Sequence, residues 1–226
     1  MENTFEIFSK NYVDKPDVYY GNTRPEVEEL IPVHCKTFLD VGCSDGSFGA
    51  YLKSKRQDAV VWGIEPHERF AKKAESVLDR SINSFYTAEL QEIQNKTFDC
   101  ISFNDVLEHL FDPKQALEIS KNFLSDEGVV VASIPSVLFF HVFFEQIILK
   151  KEWKYTDGGT LDETHVRFFT RKSIQRLFEE TGYEIIKLVG INKTRSKKFL
   201  LLNLATFGYF NDWKFMQFAV VAKKKK

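Results

Sequence analysis

Apolar runs and amphipathic stretches take turns along the middle of this chain. Thr37-Phe38-Leu39-Asp40-Val41 and Ala59-Val60-Val61-Trp62-Gly63-Ile64 are short apolar runs of the kind that become strands buried on both faces. Runs at 83–87, 97–103 and 128–134 predict three further strands. Between them, apolar residues at helical spacing predict helices over Gly46–Lys55, His67–Asp79 and Pro113–Leu124. Strand and helix in alternation signal an α/β fold with a parallel sheet. Ahead of it, residues 1–36 read as a helical cap in which Pro25 opens a helix through Glu26–Ile31 and Thr23 serves as N-cap.

After Pro135 the alternation breaks. An insertion begins at Ser136, and its first half, SVLFFHVFFEQIILKK, carries phenylalanine on more than one side. A core helix, a homodimer interface and a substrate lid all suit that pattern. Helical period returns over Arg171–Thr181, with Thr170 as its N-cap. Two strands close the chain, Glu184–Ile191 and Phe215–Ala222, around an apolar loop at Phe199–Phe210. Strands joined without a crossover helix pair antiparallel. The expected layout is one domain, with a core over 37–135, an insertion over 136–169, and a C-terminal helix and strands over 170–226.

The first strand runs into Gly42, Gly46 and Gly49 and then into a helix. A strand, a glycine turn and a helix N-terminus make a nucleotide-type cradle. Glu65 ends the second strand about twenty residues on, where an acid can bind both hydroxyls of a ribose. A dinucleotide would need glycine at Ser44, because the middle glycine lets the backbone meet a pyrophosphate. Asp40 and Asp45 would repel phosphate as well. An adenosine ligand with a sulfonium, an ammonium and no phosphate suits those acids, which describes S-adenosylmethionine.

The stretch Phe38–Leu52, FLDVGCSDGSFGAYL, resembles the first motif of class I S-adenosylmethionine-dependent methyltransferases, whose usual form is D-x-G-x-G-x-G. It departs from that form at Ser44 and Phe48. Ile64-Glu65-Pro66, Phe98-Asp99-Cys100-Ile101, Asp105-Val106-Leu107-Glu108-His109-Leu110 and LSDEGVVVASIP at Leu124–Pro135 follow in the family's order. The resemblance implies a Rossmann-like, doubly wound, seven-stranded and mainly parallel sheet whose last strand is antiparallel. It implies that Asp40, Gly42, Ser44 and Gly46 line the methionine side, that Glu65 and Pro66 hold the ribose, and that Ala88 and Glu89 meet the adenine. Asn104 and Asp105, at the fourth strand's end, join the cofactor set. Arg24 is expected to close over the site and hold the cofactor's carboxylate as a planar fork.

His109 is the first candidate for a general base and His165 the second, because imidazole titrates near neutrality. Glu108 and His109 match the pair that similar ubiquinone-biosynthesis O-methyltransferases offer a divalent metal. Asn104 stands where a further acid ligand belongs, so no metal is assigned. The segment His165-Val166-Arg167-Phe168-Phe169-Thr170 is similar to a subgroup linked to sugar and cell-envelope glycan methylation. The expected reaction is therefore methylation of an oxygen on a small molecule or glycan precursor. Nitrogen and carbon acceptors stay open, as does a non-catalytic binding protein on the same fold.

Composition narrows the partners. The 226 residues suit one large domain, and 31 basic against 32 acidic residues give a net charge of −1 that offers nucleic acid no global attraction. Cys35, Cys43 and Cys100 form no C-x-x-C pair and read as reduced thiols of a cytoplasmic protein. The polar N-terminus lacks a signal-peptide pattern, and Ile134–Leu149 is too short and too interrupted to span a membrane.

Overall fold

Runs rich in valine, isoleucine and phenylalanine leave neither face of a strand suited to water, and they become the centre of a seven-stranded sheet. The computed structural model describes residues 21–225. Tyr19, Tyr20 and most of the expected N-terminal cap lie outside them. The strands are β1 (Thr37–Val41), β2 (Val60–Ile64), β3 (Arg80–Ile82), β4 (Phe98–Asn104), β5 (Leu124–Pro135), β6 (Tyr183–Lys193) and β7 (Phe215–Lys224). Their order is β3-β2-β1-β4-β5-β7-β6. β1 pairs parallel with β2 and β4, β2 with β3, and β4 with β5. β7 inserts between β5 and β6 and runs antiparallel to both.

Successive residues of each central strand serve opposite faces, as the two-residue period requires. Leu39, Ile101, Val130 and Val220 feed one core, while Phe38, Cys100, Val129 and Val221 feed the other. Around the sheet lie helices α1 (Ser47–Lys55), α2 (Glu68–Ala74), α3 (Pro113–Phe123), α4 (Arg171–Glu180) and α5 (Lys197–Ala205). Asp112 Oδ1 accepts from the Gln115 N–H at 3.0 Å to start α3, and a reciprocal box between Thr170 and Ser173 starts α4. The strand order turns back between β1 and β4, so their carboxyl ends bound a crevice.

Four elements differ from the pattern-based expectation. The third strand ends at Ile82 instead of occupying 83–87, because the Asn83 amide donates to the Glu65 and Pro66 carbonyls at 2.9 and 3.0 Å and turns the chain away. The helix expected to reach Asp79 stops at Ala74, and Leu78 then tucks beneath the glycine turn. The opening helix is a single turn, Pro25–Glu28, with Arg24 and not Thr23 at its N-cap. The stretch expected as a loop at Phe199–Phe210 begins as α5, capped by Ser196 Oγ accepting from the Phe199 N–H. No helix among the described residues is long and apolar enough to cross a membrane.

Candidate active site

At the carboxyl ends of β1 and β4 and the amino end of the antiparallel β7 lies a cavity of about 530 Å³. Of the residues singled out in the sequence, Asp40, Gly42, Ser44, Asn104 and Asp105 line it, together with Arg24 and His165. Gly42 turns the chain out of β1 with φ 72°, and a Cβ there would come within 2.7 Å of a Val106 methyl. No side chain fits at this point of the turn.

Gly46, expected on the methionine side, stands at the start of α1. It caps α1 with φ 82°, but a Cβ on it would sit 2.6 Å from Val77. Gly49 is tighter, since a methyl group added there would meet Leu78 at 2.3 Å and Val61 at 2.9 Å. These two glycines let the segment after α2 pack under the turn, and Gly46 does not line the cavity.

Glu65, 1% exposed, spans the turn from behind and does not itself line the cavity. One carboxyl oxygen accepts from the Ser44 N–H and the other from the His67 N–H, each at 2.9 Å. Burial pushes its pKa up to about 7. Asp40 accepts from the Ser102 hydroxyl at 2.7 Å, and burial, opposed by that hydrogen bond, raises it to about 7 as well. A cation bound nearby would favour their ionised form, and a phosphate would disfavour it.

Across the crevice, Asp105 holds the N-terminal arm. Arg24 pairs with its carboxylate, Gln217 Nε2 donates to it at 2.7 Å, and the Ser133 hydroxyl donates at 3.1 Å. Gln217 Oε1 in turn accepts from Arg24 at 3.1 Å and from Asn192 at 2.7 Å. The fork expected to face the cofactor's carboxylate is thus directed at Asp105. No motif points to Gln217 or Asn192, although Gln217 is the lone polar residue between Phe215 and Ala222 and so marks the strand end.

The insertion brings the histidines together. His165 Nδ1 lies 3.1 Å from the Thr160 carbonyl, and His109 Nδ1 lies 3.1 Å from the Thr164 carbonyl. A carbonyl only accepts, so each neutral ring carries its proton on Nδ1 and leaves Nε2 with a lone pair. The rings meet edge to face at 4.7 Å, and His165 Nε2 stands 3.9 Å from Glu108 Oε1. Burial pushes the Glu108 carboxyl up to about 8. His165 and Glu108 line the cavity, whereas His109 stands behind them and does not. One donor atom from each of the three falls within 4.8 Å of the others, a spacing that could also hold a metal ion.

Three expected cofactor residues lie elsewhere. Ala88 and Glu89 are exposed, with their carbonyls accepting from the Gln94 and Gln91 amides. The early end of β3 leaves that loop outside the cavity lining. Pro66 is also exposed, with its carbonyl committed to Asn83.

A family model described as a methyltransferase domain matches residues 23–188. The ubiquinone biosynthesis O-methyltransferase of Neisseria meningitidis is 24% identical over 167 residues, covering 69% of this chain and 67% of that protein. The mitochondrial ubiquinone biosynthesis O-methyltransferase of Bos taurus is 28% identical over 176 residues, 71% of this chain but 44% of its own length. Among solved structures, a possible histamine N-methyltransferase from Thermotoga maritima superposes with a TM-score of 0.64 at 18% identity, covering 98% of each chain. An S-adenosylmethionine-dependent methyltransferase from Archaeoglobus fulgidus gives 0.62 at 17%, covering 98% of this chain and all (100%) of its own. The sheet order, the glycine turn beside buried acids and the family match agree: the chain belongs to the methyltransferase domain family and is an S-adenosylmethionine-dependent methyltransferase of Rossmann-like fold.

Proposed function

We propose that this enzyme methylates an oxygen of a small molecule or glycan precursor, with His165 as the base on the acceptor side. The observation that carries the reading is His165 itself: buried on the cavity wall, fixed by the Thr160 carbonyl and presenting Nε2 beside Glu108. A hydroxyl acceptor gains from such a base, since its proton must leave as the new bond forms. The Neisseria and bovine relatives, both described as O-methyltransferases, support oxygen.

The donor, when bound, supplies an electrophilic methyl group whose leaving group is a neutral thioether. Little acid assistance is needed, so positioning and exclusion of water carry most of the work. The acid-rich crevice floor fits a cationic, phosphate-free ligand. In this reading Asp40, Gly42 and Ser44 hold its amino-acid end, Glu65 its ribose, and Asn104 the side nearest the acceptor. Each Glu65 oxygen keeps a lone pair beyond its backbone partner, which is what a ribose hydroxyl needs. Arg24, engaged by Asp105 and Gln217, closes the N-terminal arm over the crevice in place of binding a carboxylate. His109 orients His165 from behind. The three free, buried cysteines fit a reducing, cytoplasmic setting.

The test is a panel of hydroxyl, amine and activated-carbon acceptors, read by formation of S-adenosylhomocysteine. Turnover confined to hydroxyl acceptors and lost in His165→Ala is expected. Turnover on amines alone, or a His165→Ala enzyme as fast as wild type, contradicts the assignment.

A further inference from the structure

The connection between β6 and β7 places leucines where a water-facing helix would not. Leu200, Leu201 and Leu204 on α5 are 65%, 67% and 73% exposed, and Phe207 and Tyr209 just beyond it are 100% and 83% exposed. The helix is held from its other side by Phe199, whose ring meets Phe140 of the insertion at 5.4 Å. Its outward face is therefore a fixed surface and not a frayed end.

Within the connection itself, the charge beside that face has one sign. Lys193, Arg195, Lys197 and Lys198 precede the leucines, and no acid occurs between Lys193 and Phe210, in a chain whose overall net charge is −1. The neighbouring insertion repeats the pairing, with Ile148 and Leu149 47% and 63% exposed and followed by Lys150 and Lys151. Phe143 against Trp213 at 4.9 Å and His141 Nε2 at 2.7 Å from Thr194 Oγ1 fasten the insertion to the β6–β7 connection.

We propose that α5 and the turn after it dock this protein on an anionic lipid bilayer, with Leu200, Leu201, Leu204 and Phe207 entering the headgroup–acyl boundary and Lys197 and Lys198 meeting acidic headgroups. Exposed apolar side chains with lysine and arginine beside them suit a surface that presents acyl chains under acidic headgroups. At nine residues α5 lies on a membrane and does not cross it. A second copy fits less well, because a two-fold contact through this face would bring like-charged lysines together. The connection leaves the sheet beside Asn192 and Met216, which line the cavity, so docking brings the cavity's rim close to the lipid surface. Docking through α5 is independent of the acceptor and of His165.

The experiment is co-sedimentation of the full chain with vesicles of phosphatidylcholine alone and of phosphatidylcholine mixed with an equal part of phosphatidylglycerol. Binding to the mixed vesicles should be about tenfold stronger and should weaken with salt. Leu204→Glu with Phe207→Glu should lower it by about tenfold. Lys197→Glu with Lys198→Glu should lower it several-fold, while thermal stability and S-adenosylhomocysteine affinity stay at wild-type values. No binding to either vesicle, or equal binding by wild type and the Leu204→Glu, Phe207→Glu variant, overturns the proposal. A dimer in light scattering that Leu204→Glu dissociates gives the face to a second copy and overturns it too. Loss of S-adenosylhomocysteine binding with vesicle binding intact would instead count against the cofactor site alone.

Discussion

The two walls of the crevice are built by different means. On the β1–β2 side, each element follows from its neighbours in sequence: strand, glycine turn, helix, strand, and an acid whose two oxygens fasten the turn to α2. On the β5–β7 side, the wall is assembled from pieces far apart in the chain. Gln217 joins Arg24 and Asp105 across sequence separations of 193 and 112 residues, and His109 meets the Thr164 carbonyl 55 residues away. The first wall is what a methyl-donor fold needs in general. In the proposed function, the second carries the residues on the acceptor side.

The largest effect should come from the second wall. His165→Ala is expected to lower kcat by about 10²-fold or more, with S-adenosylhomocysteine affinity within about twofold of wild type. His109→Ala, one ring further from the cavity, should cost less and act through the pH profile. Equal losses in the two variants would mean that the rings act as a unit.

A matched pair of substitutions then compares the walls in stability. Gly49→Ala drives a methyl group into Leu78 and Val61, and overpacking of this kind costs about 1–3 kcal/mol. Gln217→Leu removes partners from Asp105, Arg24 and Asn192, and stranded polar groups cost about 1–3 kcal/mol as well. Thermal melts should register both. The activity readout should separate them: Gly49→Ala should weaken cofactor binding through the turn, and Gln217→Leu should raise the acceptor KM.

The same contrast explains which parts of the molecule are legible in the sequence. Phe38–Leu52 declares its strand, turn and helix because each is set by local period and by glycines at positive φ. The order of β1, β2, β4 and β5 follows from crossover chemistry that leaves few alternatives. Gly46 has Val77, about thirty residues on, as its close neighbour, and nothing local distinguishes a glycine that admits a ligand from one that admits a side chain. Ala88 and Glu89 enter the expected site by family position alone, and the Asn83 amide that ends β3 early is invisible to an apolar-run criterion. The insertion's phenylalanines, which suit a dimer interface or lid equally well, include Phe140 and Phe143, engaged by Phe199 and Trp213 of the same chain. His165 stands out in the sequence, but its fixing by Thr160 exists only in the folded insertion.

The smallest effect concerns pH and tests the first wall. Asp40 and Glu65 have pKa values raised to about 7, above their unfolded values, so the folded protein holds protons that the unfolded chain releases. Their contribution to stability is complete below the ordinary carboxylate range and is lost as pH rises through about 7. The ligand-free melting temperature should therefore fall between pH 5 and pH 8, at about 2–4 °C for each kcal/mol lost. A cationic ligand offsets that loss, so S-adenosylmethionine should raise the melting temperature more at pH 8 than at pH 6. A rise that is larger at pH 6 would place the ligand away from these acids.

The most direct test is calorimetric titration of S-adenosylhomocysteine into wild type and Glu65→Ala side by side. One site per chain is expected in wild type, with affinity weakened by about tenfold or more in the variant through the loss of a charge-assisted hydrogen bond. No heat with wild type, or the same affinity in both proteins, would contradict the claim that the cofactor rests on the turn between β1 and α1 with Glu65 as its anchor.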